Sequence, residues 1–135
     1  MNGGDYRSVN IIPFDYVISL ALSSGGSLVA SLTFAQDSQF EIHQWAASST
    51  KNGDTDVMPN DFSVLVTDLS TGRSLSNLRV PQRCFAAPAN PFYRLIRPVI
   101  FPPGANLQFD ALDLAADTNT VTIVLRGLKI FQGVQ

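Results

Sequence analysis

The chain has little of what most active sites are built from. It contains one Cys (Cys84) and one His (His43) in 135 residues. That rules out an internal disulfide and leaves neither thiolates nor imidazoles enough for a zinc centre. The single thiol leaves the redox compartment open. Glu occurs once and Lys twice, so the residues that normally coat exposed helix faces are scarce. Charge is scarce as well: 15% of residues are charged and the net charge is −2, far from the basic footprint of an autonomous nucleic-acid binder. No apolar run approaches the ~20 residues that a membrane helix needs. The opening MNGGDYRSVN lacks the basic-then-apolar layout of a secretory leader. A soluble, unprocessed chain with no membrane partner is therefore expected. Phosphate-cradling, zinc-protease and nucleophile-elbow motifs are absent, as is any internal repeat.

What is present favours strand. Val, Ile, Thr and Phe abound, and Pro and Gly punctuate short apolar runs. Strands are expected at 14–22, 27–34, 39–46, 62–69, 74–80, 92–101, 105–112 and 120–131. The first two look like a hairpin closed by Ser23-Ser24-Gly25-Gly26, and 62–69 with 74–80 like a second closed by Ser70-Thr71-Gly72-Arg73. In 39–46, Phe40 and Ile42 fall on one side against Glu41, His43 and Trp45 on the other. The longest loop is Ser48 to Asn60. Six of the eight prolines fall between Pro81 and Pro103, so 81–91 reads as an irregular crossover between sheets and Pro98 as an edge or bulge position. The inward set of the last strand slips at Gly127, which predicts a β-bulge there. The fold class is all-β: a single two-layer antiparallel β-sandwich, jelly-roll-like, of about eight strands. Residues 1–12 form a flexible N-terminal arm and 13–135 the sandwich. The expected core contains Phe34, Ile42, Val64, Val66, Leu107, Phe109, Ile123 and Leu125.

Each candidate for chemistry has a plainer reading. His43, beside Gln44 and Trp45, reads as a polar surface residue rather than a catalytic base. Cys84, between Arg83 and Phe85, reads as a small buried hydrophobe. The carboxylate pairs Asp54/Asp56 and Asp110/Asp113 show no calcium-loop spacing and read as turn formers. No catalytic residue, metal or cofactor is expected, and the chain is not read as an enzyme. The one local bias is cationic. Arg79, Arg83, Arg94 and Arg97 interleave with Phe85, Phe92 and Tyr93, and Arg supplies seven of the nine cations. Guanidinium stacks on rings and clamps carboxylates, so a subunit contact is expected there, against the plainer reading of a solvated face. Tyr6 and Ile11 are the arm's candidate anchors.

The segments Leu95-Ile96-Arg97-Pro98-Val99-Ile100-Phe101-Pro102-Pro103-Gly104 to Asp110, and Asn119-Thr120-Val121-Thr122-Ile123-Val124-Leu125-Arg126-Gly127-Leu128-Lys129-Ile130-Phe131, carry a resemblance. An R-P-x-x-F-P-P stretch, a short strand ending in Asp, a polar loop and a final N-T-V-x-I-x-L-x-G-x-K-x-F strand resemble the C-terminal half of small β-sandwich virion structural proteins of tailed bacteriophages. The likeness covers about forty residues of pattern. It implies a particle component located in the virion and assembled in the host cytoplasm. The specific role it implies is a capsid-stabilising decoration or cement protein. Such a protein acts through homo-oligomers such as trimers and through contacts with the major capsid protein, without small-molecule substrate, cofactor or nucleic acid. Alternatives are a neck or tail component (collar, ring or fibre) and a carbohydrate-binding β-sandwich module using Trp45, Tyr93 or Tyr16 as a stacking platform.

Overall fold

A computed structural model describes residues 10–51, 57–58, 61–82 and 92–131, and no α-helix occurs among them. Its strands are β1 (Asn10–Leu22), β2 (Ser27–Thr33), β3 (Gln39–Lys51), β4 (Val57–Met58), β5 (Phe62–Asp68), β6 (Arg73–Ser74), β7 (Val80–Pro81), β8 (Phe92–Phe101), β9 (Asn106–Asp113) and β10 (Asn119–Phe131). They form two antiparallel sheets. In the first, β1, β10 and β3 lie side by side, and β3 pairs beyond with β8 and the short β4; in the second, β2, β9 and β5 lie side by side, and β5 pairs beyond with β6 and β7. With β6 and β7 counted as one interrupted strand, the chain distributes its eight main strands between the sheets as a jelly roll does.

Period-2 patterning explains the sandwich. β9 alternates half-buried and buried residues along its whole length, and β10 does so from Asn119 to Leu125. The eight residues expected in the core are all buried, Phe109 and Ile123 completely. Four rings close one end. Tyr16 packs on Phe34 and Phe40 at centroid distances of 4.6 and 4.7 Å, and Phe34 meets Phe101 at 5.5 Å. The Tyr16 hydroxyl accepts a hydrogen bond from the Ala35 amide at 2.9 Å, so the chain leaving β2 is tied to β1.

The other end is held by Asp113. Its carboxylate accepts hydrogen bonds from the amides of Gly25 (2.8 Å) and Ala115 (3.0 Å) and from the Asn119 side-chain amide (3.2 Å). Asn119 also donates to the Asp61 carbonyl at 3.2 Å. The turn before β2 and the β9–β10 loop therefore meet on one buried carboxylate, and Asn119 links it to the start of β5. The residue read as a turn former is a structural anchor.

Several local expectations change. β1 and β2 are not a hairpin: β1 pairs with β10 and β2 with β9. The Ser23–Gly26 turn, with Gly25 at φ 65°, instead carries the chain from one sheet to the other. β1 begins at Asn10, because Asn10, Ile11 and Ile12 pair with Phe131, Ile130 and Lys129; those three residues belong to the sandwich rather than to the arm. β3 runs on to Lys51 along β10, so the loop after it starts later than Ser48. The strand expected at 74–80 is interrupted. Ser74 pairs with Thr67 and Val80 with Val64, leaving 75–79 opposite Leu65 and Val66 alone.

The pairing does break at Gly127, but the extra residue lies on the partner strand. β10 itself keeps its phase along β1, so Leu128 and Ile130 lie outward and do not continue the inward set. Arg126 pairs with Gln44 and Gly127 with Ile42, so His43 is the bulged residue. A Cβ on Gly127 would fall on the Glu41 carbonyl oxygen, which accounts for the glycine. The bulge also reverses the phase of β3. Phe40 and Ile42 point inward before it, and beyond it Trp45 turns in to pack against the core instead of facing water with Glu41. The crossover before β8 does connect the second sheet to the first. Pro98 lies in β8, which among the described residues pairs only with β3, across the same irregularity.

Candidate subunit interface

The residues proposed from sequence do not form one cluster. Tyr6, Arg83 and Phe85 lie outside the described residues. Phe92 and Tyr93 pair through their backbones with Ala46 and Trp45. Arg94 and Arg97 are exposed on β8 at one edge of the first sheet. Ile11 is exposed on β1, at that sheet's opposite edge. Arg79 belongs to the second sheet's side. Its guanidinium donates to Asp110 Oδ1 at 2.9 Å, so its charge is answered within the chain, on a face that stays wet. Of the ring platform expected for sugar binding, Trp45 and Tyr16 both pack against the core.

The registers assemble a surface that no local stretch reveals. On the outer side of the first sheet, Ile11 lies beside Ile130, and Pro13 beside Leu128, Glu41 and Ile100. The next row holds Asp15, Arg126, Gln44 and Arg94, and the row after it Val17, Val124 and Ala46. Two apolar rows thus flank a polar one. Ile11, Val17 and Ile100 are each more than half exposed. Phe14, on the other side of β1, is partly exposed under the Lys129 ammonium, 4.1 Å above its ring.

The polar row is internally matched. Arg126 Nε and Nη2 donate to the two Asp15 oxygens, each at 3.1 Å. These hydrogen bonds and the Asp15 charge raise the guanidinium above its ordinary range. On β3, His43 Nε2 lies 2.8 Å from Glu41 Oε1. Asp15 and Arg126 on this face are thereby paired within the chain. The second sheet is different. Its outer rows are Thr33 with Asn106, Ser31 with Gln108 and Thr67, Val29 with Asp110 and Leu65, and Ser27 with Leu112 and Ser63. Polar residues are the more numerous there, beside exposed Val29 and Leu78. On the first sheet the apolar rows give way to Ser19, Thr122 and Ser48 and then Ala21, Thr120 and Thr50, so the apolar patch covers one half of that sheet's outer face.

No protein-family model matches the chain, and no curated protein matches it. Among solved structures, it is similar to a 60-mer of the BFDV capsid protein (TM-score 0.43, 10% identity, 96% of each chain covered). It is also similar to a decamer of that capsid protein (0.41, 11%, 93% of this chain and 100% of that one). A third likeness is to the Drosophila NLP-core, whose structure is described as providing insight into pentamer formation and histone binding (0.39, 12%, 86% and 98%).

Proposed function

We propose that the protein is a structural component of a virus particle, specifically a phage capsid decoration or cement protein that works by self-association and by docking on the shell. The observation that carries this reading is the asymmetry of the two outer faces. Rows of exposed Ile, Val and Pro on one half of the first sheet flank the matched Asp15–Arg126 pair, whereas the second sheet presents mainly Ser, Thr, Asn and Gln, with Val29, Leu65 and Leu112 among them. An apolar sheet face of this kind loses water when a flat partner covers it, and a charge buried with its partner costs less than one buried alone. The resemblance of 95–110 and 119–131 to tailed-phage virion proteins points to the same use. The jelly roll is a frequent architecture of capsid subunits, though lectins and cupins share it.

The occupant of the apolar face, which takes in Ile100 and Arg94 of β8, is a second copy of the chain, and exposed Arg97 is left for the shell. Sedimentation of the full chain tests the first part. A species at a small integer multiple of 14.6 kDa is expected at micromolar concentration, and a lone 14.6 kDa species up to the highest soluble concentration overturns it. Labelling of intact particles by an antibody to the chain tests the second part. Label on free protein only would remove the virion assignment.

A further inference from the structure

We infer that the interior holds a binding site for a small apolar molecule about the size of one aromatic ring. A cavity of about 150 Å³ lies between the two sheets. Eleven of its twelve lining residues are apolar, among them Ile42, Trp45, Val66, Leu95, Val99 and Phe101. The exception, Ser76, has its hydroxyl engaged with the Leu78 carbonyl at 2.7 Å, so it offers a ligand no free donor. Apolar cavities of about this volume stay dry and take up benzene-sized guests.

The backbone, rather than a small side chain, makes the space. On one wall, residues 75–79 stand opposite only Leu65 and Val66. On the other, residues 95–98 stand opposite only His43. Both interruptions border the same cavity, with Leu75 and Ser76 from one insertion and Leu95 from the other among its lining. Leu75 is more than half exposed, which marks that side as the rim. A void left by one small side chain would be a matter of a single position. Here unpaired residues of two strands in two sheets border it. This site is independent of the outer face proposed for self-association, since Ile42, Val66, Val99 and Phe101 belong to the inward sets.

Toluene is the probe. With the full chain, a saturable rise in Tm is expected. Methyl resonances of Leu75, Leu95 and Val99 should shift, while those of Leu20 and Leu22 at the far end stay in place, and emission of Trp45, the sole tryptophan, should change with the same saturation curve. Val99→Phe, which fills the space from within, and Ser76→Phe, which blocks the rim from outside the sheets, should each weaken binding by about tenfold or more. The second variant keeps the test valid if the first fails to fold. Shifts that never saturate, that spread through the whole core, or that survive in the folded variants would overturn the inference.

Discussion

The Asp113 carboxylate accepts the Gly25 amide at 2.8 Å across 88 residues of chain, and this bond decides how the first strand hands over to the second. Burial pushes the Asp113 carboxyl up, but the amides of Gly25 and Ala115, the Asn119 side chain and the Ala116 amide together draw it below the usual carboxylate value of 3.8. A depressed native pKa means that the unfolded chain binds the proton more readily. The contribution is therefore complete above the ordinary value and is lost as pH falls through the lower native one. Asp113→Asn replaces one acceptor oxygen by a donor that faces backbone amides. It should cost about 1–3 kcal/mol at neutral pH and flatten the acid limb of the stability curve. Chemical denaturation at a series of pH values checks this, and an unchanged acid limb would remove Asp113 as the anchor.

Gly127→Ala and Gly25→Ala separate two uses of glycine. A Cβ at 127 would collide with the backbone of Glu41 and Ile42, whereas at Gly25 nothing lies within 4 Å and only the φ of 65° resists. The first should be the costlier, about 1–3 kcal/mol or more, and the second about 1 kcal/mol. Urea midpoints at constant m-value give the order directly; the reverse order would contradict the bulge geometry.

Phe109 is fully buried at the centre of β9 between Ala30 and Val66. Its truncation to Ala should cost about 3–5 kcal/mol. A loss below about 1 kcal/mol would mean that the ring is not packed as described.

Arg79→Ala should cost less than about 1 kcal/mol, because the pair with Asp110 is partly solvated on the wet face. It should also leave the molecular mass of the assembly unchanged. A drop in assembly mass would restore Arg79 to the interface expected from sequence.

The sheet content and the core were legible because period 2 is written into each strand: Leu107, Phe109 and Ala111 alternate with Asn106, Gln108 and Asp110, and no distant information is needed. Pairing was not legible. Ser23–Gly26 has the composition of a hairpin turn, and what sends β2 to the other sheet is β9, with Asp113 holding the turn from far along the chain. Trp45 was placed on the wrong side because one bulged residue, His43, inverts every position after it. The apolar outer face was invisible for a related reason: Ile11, Ile130, Pro13, Leu128 and Ile100 come from three strands and only the register brings them into rows. Arginine enrichment, by contrast, is a compositional signal. Arg79 shows that it also marks an ion pair internal to the chain.

The account turns on which face of the sandwich meets another copy, and a matched pair of substitutions tests that directly. Val17 on the first sheet is 54% exposed and Val29 on the second 55%, so a lysine at either position has similar local cost and differs only in the face it charges. Sedimentation velocity on the full-length wild type, Val17→Lys and Val29→Lys should show an oligomer for the wild type and for Val29→Lys. Val17→Lys should shift to a folded 14.6 kDa monomer. Equal masses for the two variants, or loss of assembly in Val29→Lys alone, would contradict the account.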